Sequence, residues 1–197
     1  MSQYHHGNLR NSIIEAAIDI ISSQGIEKLS IRATAKIIGV SHTAPYRHFK
    51  NKEELIVAVA LKGFEKLGSK IDPIFQNYSN DVRELIFNAG KTYIGFAVEN
   101  KNYYRIMFGN HILNKTGYPD FFEAYDSLFK QFTDIVYRYK NSDGNTFSYN
   151  DASVVTLSYF SMIHGYSSLI IDNGEDEKFG KEGQINLILR NFVNILD

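Results

Sequence analysis

Apolar residues recur three or four positions apart along most of this chain, which is the spacing of one face of an α-helix. A first stretch of this kind starts at Leu9 and stops at Gly25, a residue type that commonly follows a helix. Proline, which interrupts helices, occurs only at positions 45, 73 and 119. The pattern predicts an all-α fold of about nine helices, at about residues 9–24, 30–39, 42–48, 52–72, 82–97, 102–109, 119–140, 150–172 and 185–196.

Polar residues that favour helix N-termini precede several of these segments. Ser30 and Asn51 are predicted N-caps, and Asp81 with Glu84 three residues later resembles a capping box. The helix that follows Asn51 is expected to end where Pro73 interrupts the chain.

The segment LSIRATAKIIGVSHTAPYRHFKNKEEL has the features of a helix-turn-helix, in which two short helices are joined by a tight turn. Gly39 can adopt the positive φ that the turn requires, and Val40 fills the space between the helices. Ser41 is expected to cap the second helix, so that Pro45 falls in its first turn, where a missing N–H costs little. This second helix is predicted to read base edges in a major groove while neighbouring groups bind phosphates.

Charge divides the chain in the same way. Residues 1–52 hold seven Lys and Arg and three acids, a net charge of +4, whereas residues 53–197 have a net charge of −5. We therefore expect the basic N-terminal segment to bind a polyanion and the acidic remainder of the chain not to bind one. The chain has no cysteine, which excludes disulfides, thiolate metal sites and a cysteine nucleophile.

The letters GVS at 39–41 followed by YRHFKNKEEL at 46–55 resemble the DNA-binding domain of the TetR (tetracycline repressor) family of bacterial transcriptional regulators. YHHGNLR at 4–10, YRIMFG at 104–109 and the pair His164-Gly165 resemble one subgroup of that family in particular. The resemblance implies a DNA-binding domain at 1–52, a linking helix at about 52–70 and an effector-binding and dimerisation domain at 71–197.

By this resemblance Tyr46, His48 and Lys52 contact the phosphate backbone, and the variable positions of the second helix read the DNA sequence. Arg10 adds a charged contact near the N-terminus. The adjacent His5 and His6 are not expected to hold a metal, because side chains at i and i+1 do not converge on one face. The candidate DNA-binding residues are Arg10, Ser30, Arg32, Ser41, His42, Thr43, Ala44, Tyr46, Arg47, His48 and Lys52.

The remainder of the chain is rich in aromatic residues: 23 of the 27 Phe and Tyr lie after residue 70. Aromatic walls with a few polar tips suit a small apolar or aromatic effector. A core that is simply built from Phe and Tyr is the alternative, and His111 and His164 are then hydrogen-bonded core residues rather than effector contacts. The candidate pocket residues are Tyr93, Phe96, Tyr104, Met107, Phe108, His111, Tyr125, Phe129, Phe160 and His164.

The last two long helices predict a dimer interface. Small residues recur at spacings of three, four and three in the first of them, and the second has a continuous apolar side. Packing of both faces within one chain is the alternative. The candidate interface residues are Ser158, Ser161, Gly165, Ser168, Ile188, Phe192 and Ile195.

Other classes of function fit less well. The chain lacks GxSxG, P-loop, GxGxxG and HExxH motifs, which argues against an enzyme. A non-specific architectural DNA binder would have no use for an acidic, aromatic body. We therefore expect a dimeric, ligand-released repressor of the bacterial cytoplasm that binds double-stranded operator DNA and a small effector, with no cofactor, metal or membrane partner.

Overall fold

The computed structural model describes residues 9–76, 81–112, 117–142, 146–173 and 180–194. All regular structure in these residues is helical, which confirms the all-α prediction. Two 3₁₀ segments, Ile26–Lys28 and Ala44–Arg47, accompany eight α-helices. The α-helices are α1 (Leu9–Gln24), α2 (Ile31–Ile38), α3 (Lys52–Gln76), α4 (Val82–Glu99), α5 (Lys101–Phe108), α6 (Pro119–Lys140), α7 (Tyr149–Asn173) and α8 (Glu182–Asn194).

Helix α3 continues past Pro73, where the sequence predicted its end. Pro73 lies in the final turn, so its ring removes a single backbone hydrogen bond close to a helix end. The predicted N-caps at Ser30, Asn51 and Asp81 are confirmed by their side-chain bonds. For example, the Asp81 carboxylate accepts the backbone N–H groups of Arg83 and Glu84 at 3.0 and 3.2 Å.

The described residues of 1–64 and 102–122 form one compact unit. Its core is made by apolar faces of α1, α2 and the first part of α3, including the fully buried Ile13 and Leu55. The ring of Phe64 packs edge-on against Phe108 and Phe121, with centroids 5.7 and 5.8 Å apart. This packing groups α5 and the start of α6 with the N-terminal helices. The predicted start of an effector-binding and dimerisation domain at residue 71 concerns function rather than packing, and it stays a prediction.

The second compact unit contains the described residues of 65–101 and 123–197, with α4 packed against α7 and α8. The buried Tyr159 hydroxyl donates to the Ile86 carbonyl at 2.6 Å, and burial raises the pKa of Tyr159. Gly90 makes room for this side chain, since a Cβ at that position would overlap the Tyr159 hydroxyl. The centroid of the Phe132 ring lies 5.4 Å from that of Tyr159, so aromatic rings pack against each other in the core of this unit.

Candidate nucleic-acid interface

Helix α2 and the turn after it have the geometry of the first half of a helix-turn-helix. The Ser30 side chain caps the helix by accepting the Ala33 N–H at 3.1 Å. Gly39 ends the helix with φ 73°, a left-handed conformation that glycine adopts without strain. The buried Ala35 accepts the Val40 N–H at 3.1 Å, which fixes the turn against the helix. The cap at Ser30 and the positive φ of Gly39 were predicted from the sequence of this segment, whereas the bond from Val40 to Ala35 was not.

The second element of the motif differs from the prediction. It is a 3₁₀ helix over Ala44–Arg47 rather than an α-helix over 42–48. Because Pro45 has no N–H, it cannot donate to the carbonyl four residues back. The Ser41 carbonyl is bonded instead by the Ala44 N–H at 3.0 Å, the i to i+3 pattern of a 3₁₀ helix.

The expected side-chain cap from Ser41 is also wrong. Thr43 occupies the N-cap position and makes no side-chain cap bond. The Ser41 hydroxyl lies 3.2 Å from the Thr43 hydroxyl, so the two side chains satisfy each other. Both hydroxyl side chains are exposed at the start of the element.

Two buried residues anchor the element while its polar residues face solvent. Pro45 and Phe49 are buried, Phe49 with 2% of its surface exposed. The Pro45 carbonyl accepts the N–H groups of both His48 and Phe49, at 2.9 and 3.0 Å. Ala44 is half-buried, and the exposed candidates on this element are Ser41, His42, Thr43, Tyr46, Arg47 and His48.

The remaining candidates lie at N-terminal ends of helices in the same unit. Arg10, Ser30 and Arg32 are exposed. The Arg10 guanidinium also lies 5.3 Å from the centroid of the Phe49 ring, a cation–π distance. Arg10 therefore contacts the segment that ends the recognition element, in addition to its predicted contact with DNA.

Lys52 is half-buried and already has a partner. Its Nζ donates to the Ile26 carbonyl at 2.8 Å, joining the first residue of α3 to the 3₁₀ turn after α1. An ammonium group has three donors, so this bond leaves capacity for a phosphate. The 26-residue separation of the two partners gives no signal in the sequence.

Among the exposed cations of the first unit, two that lie beside the candidate DNA contacts were not assigned from the sequence. Lys36 lies four residues after Arg32 on α2 and shares its face, and Lys50 lies between the recognition element and α3. Their contribution to the net charge of the N-terminal segment was the available signal. Both add positive charge near the candidate DNA contacts.

His111, a candidate pocket residue, is exposed in the first unit. It lines a cleft of about 350 Å³ together with Ile26, Glu27, Lys52, Glu53 and Ile56. Among the described residues no group of three or more His, Asp or Glu is arranged to hold a metal ion.

The other candidate pocket residues fall in both units. Tyr104, Met107 and Phe108 belong to the first unit, and the others to the second. Tyr93, Phe96, Tyr104 and Met107 are buried, Phe108, Phe129, Phe160 and His164 are half-buried, and Tyr125 is exposed.

His164 has a hydrogen-bond partner in the second unit. Its Nδ1 lies 3.1 Å from the hydroxyl of Tyr93, whose ring packs edge-on against Phe160 at 5.6 Å. Burial lowers the pKa of His164 below its ordinary value, which favours the neutral ring near pH 7. The arrangement pairs two polar groups within an aromatic cluster.

The candidate interface residues are accessible to different degrees. Ser158, Ser161 and Gly165 are exposed, Ser168, Ile188 and Phe192 are half-buried, and Ile195 lies outside the described residues, as do His5 and His6. Exposed apolar side chains on the same two helices were not predicted: Val154, Leu157 and Leu169 on α7 and Leu187 on α8 are 56, 57, 46 and 62% exposed.

Helix α7 is long and apolar enough to cross a membrane by length and composition alone. In its most apolar window, 33% of the residues are buried within the protein.

Two buried residues hold the short second element of the helix-turn-helix, and hydroxyl, imidazole and guanidinium groups are exposed around it. This arrangement is typical of a DNA-binding transcriptional regulator. Residues 13–59 match the family described as bacterial regulatory proteins, tetR family, and residues 86–181 match the description tetracyclin repressor-like, C-terminal domain. The chain belongs to the TetR family of bacterial transcriptional regulators, which are not enzymes. This confirms the family that the sequence resembled, whereas the subgroup remains a prediction.

One curated relative is similar to this chain in sequence, and two solved structures are similar to it in fold. An HTH-type transcriptional regulator of Staphylococcus aureus (strain bovine RF122 / ET3-1) is 28% identical over 136 residues, covering 66% of this chain and 72% of that protein. A structure of a protein of unknown function from Rhodococcus sp. RHA1 has a TM-score of 0.80 at 23% identity, covering 100% of this chain and 97% of the other. The regulator FadR from Bacillus subtilis, solved in complex with stearoyl-CoA, has a TM-score of 0.74 at 14% identity, covering 95% of this chain and 97% of the other.

Proposed function

We propose that this TetR-family regulator represses transcription as a dimer on operator DNA and is released by a small apolar effector. The observation that carries the DNA-binding part is the recognition element itself, since buried Pro45 and Phe49 hold it while Thr43, Tyr46 and Arg47 face solvent. Binding to operator DNA would require a location in the bacterial cytoplasm, and this location is part of the proposal.

On DNA, the candidate residues divide into two groups by their chemistry. Thr43 offers a hydroxyl and a methyl group, and Arg47 offers a guanidinium that can bond guanine through two atoms. We assign these two residues, with His42 and Ala44, to base reading. Tyr46, His48, Lys52 and the cations at the helix N-termini hold phosphates and set the register on the duplex.

The dimer is proposed to form through α7 and α8. A monomeric protein rarely leaves several large apolar residues exposed along one helix, and Val154, Leu157 and Leu169 are each about half exposed on α7. Gly165 between them is exposed and has open space around its α-carbon, so a partner helix can approach closely. A two-fold dimer then places two recognition elements about 34–36 Å apart on a pseudo-palindrome.

The effector is proposed to bind among the aromatic residues of the second unit. Tyr93 and His164 supply a polar pair beside Phe129 and Phe160, a combination that suits a mostly apolar ligand with one polar group. The Bacillus subtilis regulator with the same fold was solved with stearoyl-CoA. The acyl chain of a long-chain acyl-CoA has this apolar character, so such an acyl-CoA is the first effector to test.

Effector and operator are proposed to favour different conformations of the dimer. Helix α3 runs without interruption from Lys52 to Gln76 and can carry a displacement along its length. Coupling of this kind is typically about 1–3 kcal/mol and is reciprocal, so operator DNA weakens effector binding by the same factor. Equal affinity for the effector in the presence and in the absence of operator DNA would contradict this mechanism.

The experiment is fluorescence anisotropy with duplex DNA from upstream of the protein's own gene and with a scrambled duplex of equal composition, over a range of salt concentrations. We expect selective binding to the upstream duplex with a steep salt dependence. Addition of stearoyl-CoA, with palmitate and free coenzyme A as controls, is expected to release the DNA. Equal, weak binding of both duplexes would contradict the proposed operator.

A further inference from the structure

The recognition element, which ends at Arg47, and α3, which begins at Lys52, are joined by the four residues His48, Phe49, Lys50 and Asn51. Its last hydrogen bonds run from the N–H groups of His48 and Phe49 to the Pro45 carbonyl. The next backbone N–H, that of Lys50, takes no backbone partner of this kind. It donates instead to the Glu54 carboxylate, with Oε2 at 2.7 Å.

Glu54 is itself held by the segment that it binds. Its own N–H donates to the Asn51 side-chain oxygen at 2.8 Å, so Glu54 makes two hydrogen bonds to the residues just before α3. Leu55, the next residue, is fully buried and fixes this turn in the core of the unit. A bond from a backbone N–H to an ionised carboxylate is among the stronger hydrogen bonds in proteins.

We propose that Glu54 is a positioning residue for DNA reading: its carboxylate binds the Lys50 N–H and thereby holds the recognition element at a set angle to α3. Burial of the Phe49 ring anchors the segment in the core, and the directional bond from the Lys50 N–H adds a constraint on the backbone next to it. The proposal rests on the proposed base-reading role of this element. In this proposal Glu54 does not contact DNA and acts through its bond to the Lys50 backbone N–H.

Glu53 provides a matched control on the same turn. It carries the same charge, is also half-buried, and lies at the same positive helix end. It faces the cleft beside Lys52 and His111 rather than the Lys50 N–H. Loss of either carboxylate removes one negative charge near the DNA and strengthens binding to every duplex by a similar factor. The ratio of affinities for two sequences cancels that shared effect.

The test compares the full-length wild type with Glu54→Ala, Glu54→Gln and Glu53→Ala. The two duplexes are one that the wild type selects from a random-sequence pool and one scrambled from it, at a temperature well below the Tm of each variant. We expect Glu54→Ala to lower the affinity ratio about tenfold. Glu54→Gln, which keeps an acceptor oxygen, is expected to retain most of the ratio, and Glu53→Ala to leave it unchanged. An unchanged ratio in Glu54→Ala overturns the proposal, as does an equal loss in all three variants or in both Glu54 variants.

A second readout needs no DNA. Amide hydrogen exchange at residues 48–50 is expected to be several-fold faster in Glu54→Ala than in the wild type and unchanged in Glu53→Ala. Exchange that stays at the wild-type rate in Glu54→Ala overturns the proposal. If the wild type selects no sequence, the proposed DNA-reading function fails, and exchange alone then decides whether Glu54 holds the segment.

Discussion

The hydroxyl of Tyr93 and the Nδ1 of His164 lie 3.1 Å apart and join α4 to α7. Tyr93 is 1% exposed, whereas His164 is half-buried, so the pair connects the aromatic core to its accessible edge. Because the pair is the polar part of the proposed effector site, its loss has consequences for stability and for ligand binding that can be measured separately.

Acid is expected to weaken the second unit through His164. Burial lowers the pKa of His164 from its ordinary 6.5, so the unfolded chain binds this proton more readily than the folded one. The stabilisation is therefore complete above pH 6.5 and is lost as the pH falls toward the folded pKa. Thermal unfolding between about pH 5 and 7.5 is expected to show a smaller pH dependence in His164→Asn than in the wild type.

Tyr93→Phe is the control for that measurement. It keeps the ring packed against Phe160 and removes only the hydroxyl, so a loss of about 0.5–1.5 kcal/mol is expected with the pH dependence of the wild type retained. An identical pH profile for wild type and His164→Asn would show that His164 does not cause the dependence.

Gly90→Ala is expected to destabilise the second unit. The new methyl group would overlap the Tyr159 hydroxyl and lie 2.7 Å from Leu189 Cδ2, which forces Tyr159 from its bond to Ile86. A loss of about 1–3 kcal/mol in the free energy of unfolding is expected from denaturant titration. Gly95 in the same helix has open space for a methyl group, so Gly95→Ala is expected to raise the free energy of unfolding by about 0.5–1 kcal/mol. Equal effects at the two glycines would contradict the packing.

Lys52→Ala is expected to weaken binding to all duplexes alike and to reduce the magnitude of the salt slope by about 1, since one phosphate contact is lost. The structure adds a second consequence, because the bond from Lys52 to the Ile26 carbonyl is lost and the Tm is expected to fall. Lys130→Ala, an exposed lysine in the second unit, is expected to change neither quantity. A salt slope that Lys52→Ala leaves unaltered would remove Lys52 from the phosphate contacts.

Arg47→Ala is expected to relax the preference for particular base pairs, at a cost of about 1–3 kcal/mol at the position that Arg47 reads. Competition with a panel of single-base variants of the selected duplex measures this. A uniform loss of affinity across the panel would identify Arg47 as a phosphate contact.

The proposed dimer face is tested by charge. Leu157→Glu and Leu187→Glu place a carboxylate on side chains that are 57 and 62% exposed, so the folded monomer tolerates them while a buried interface does not. Sedimentation is expected to give a monomer for each variant. Ile37→Glu, at a residue 51% exposed in the first unit, is expected to leave the dimer intact. A dimer in both leucine variants would place the interface elsewhere.

Features that depend on neighbours in the sequence were predictable from it. The cap at Ser30, the left-handed turn at Gly39 and the cap at Asp81 each involve groups within a few residues, so residue type and spacing are sufficient. The recognition element was predicted only in part. Pro45 was placed correctly in a first turn, but its missing N–H favours a 3₁₀ helix over the expected α-helix.

The sequence by itself therefore determined the helical fold, the helix-turn-helix and its family, since these rest on periodicity, turn chemistry and a local motif. The tertiary structure decided which side chains meet across the chain: Lys52 with Ile26, Tyr93 with His164, and Tyr159 with Gly90. The partners of such contacts are far apart in sequence, and packing in three dimensions, which carries no fixed spacing, brings them together.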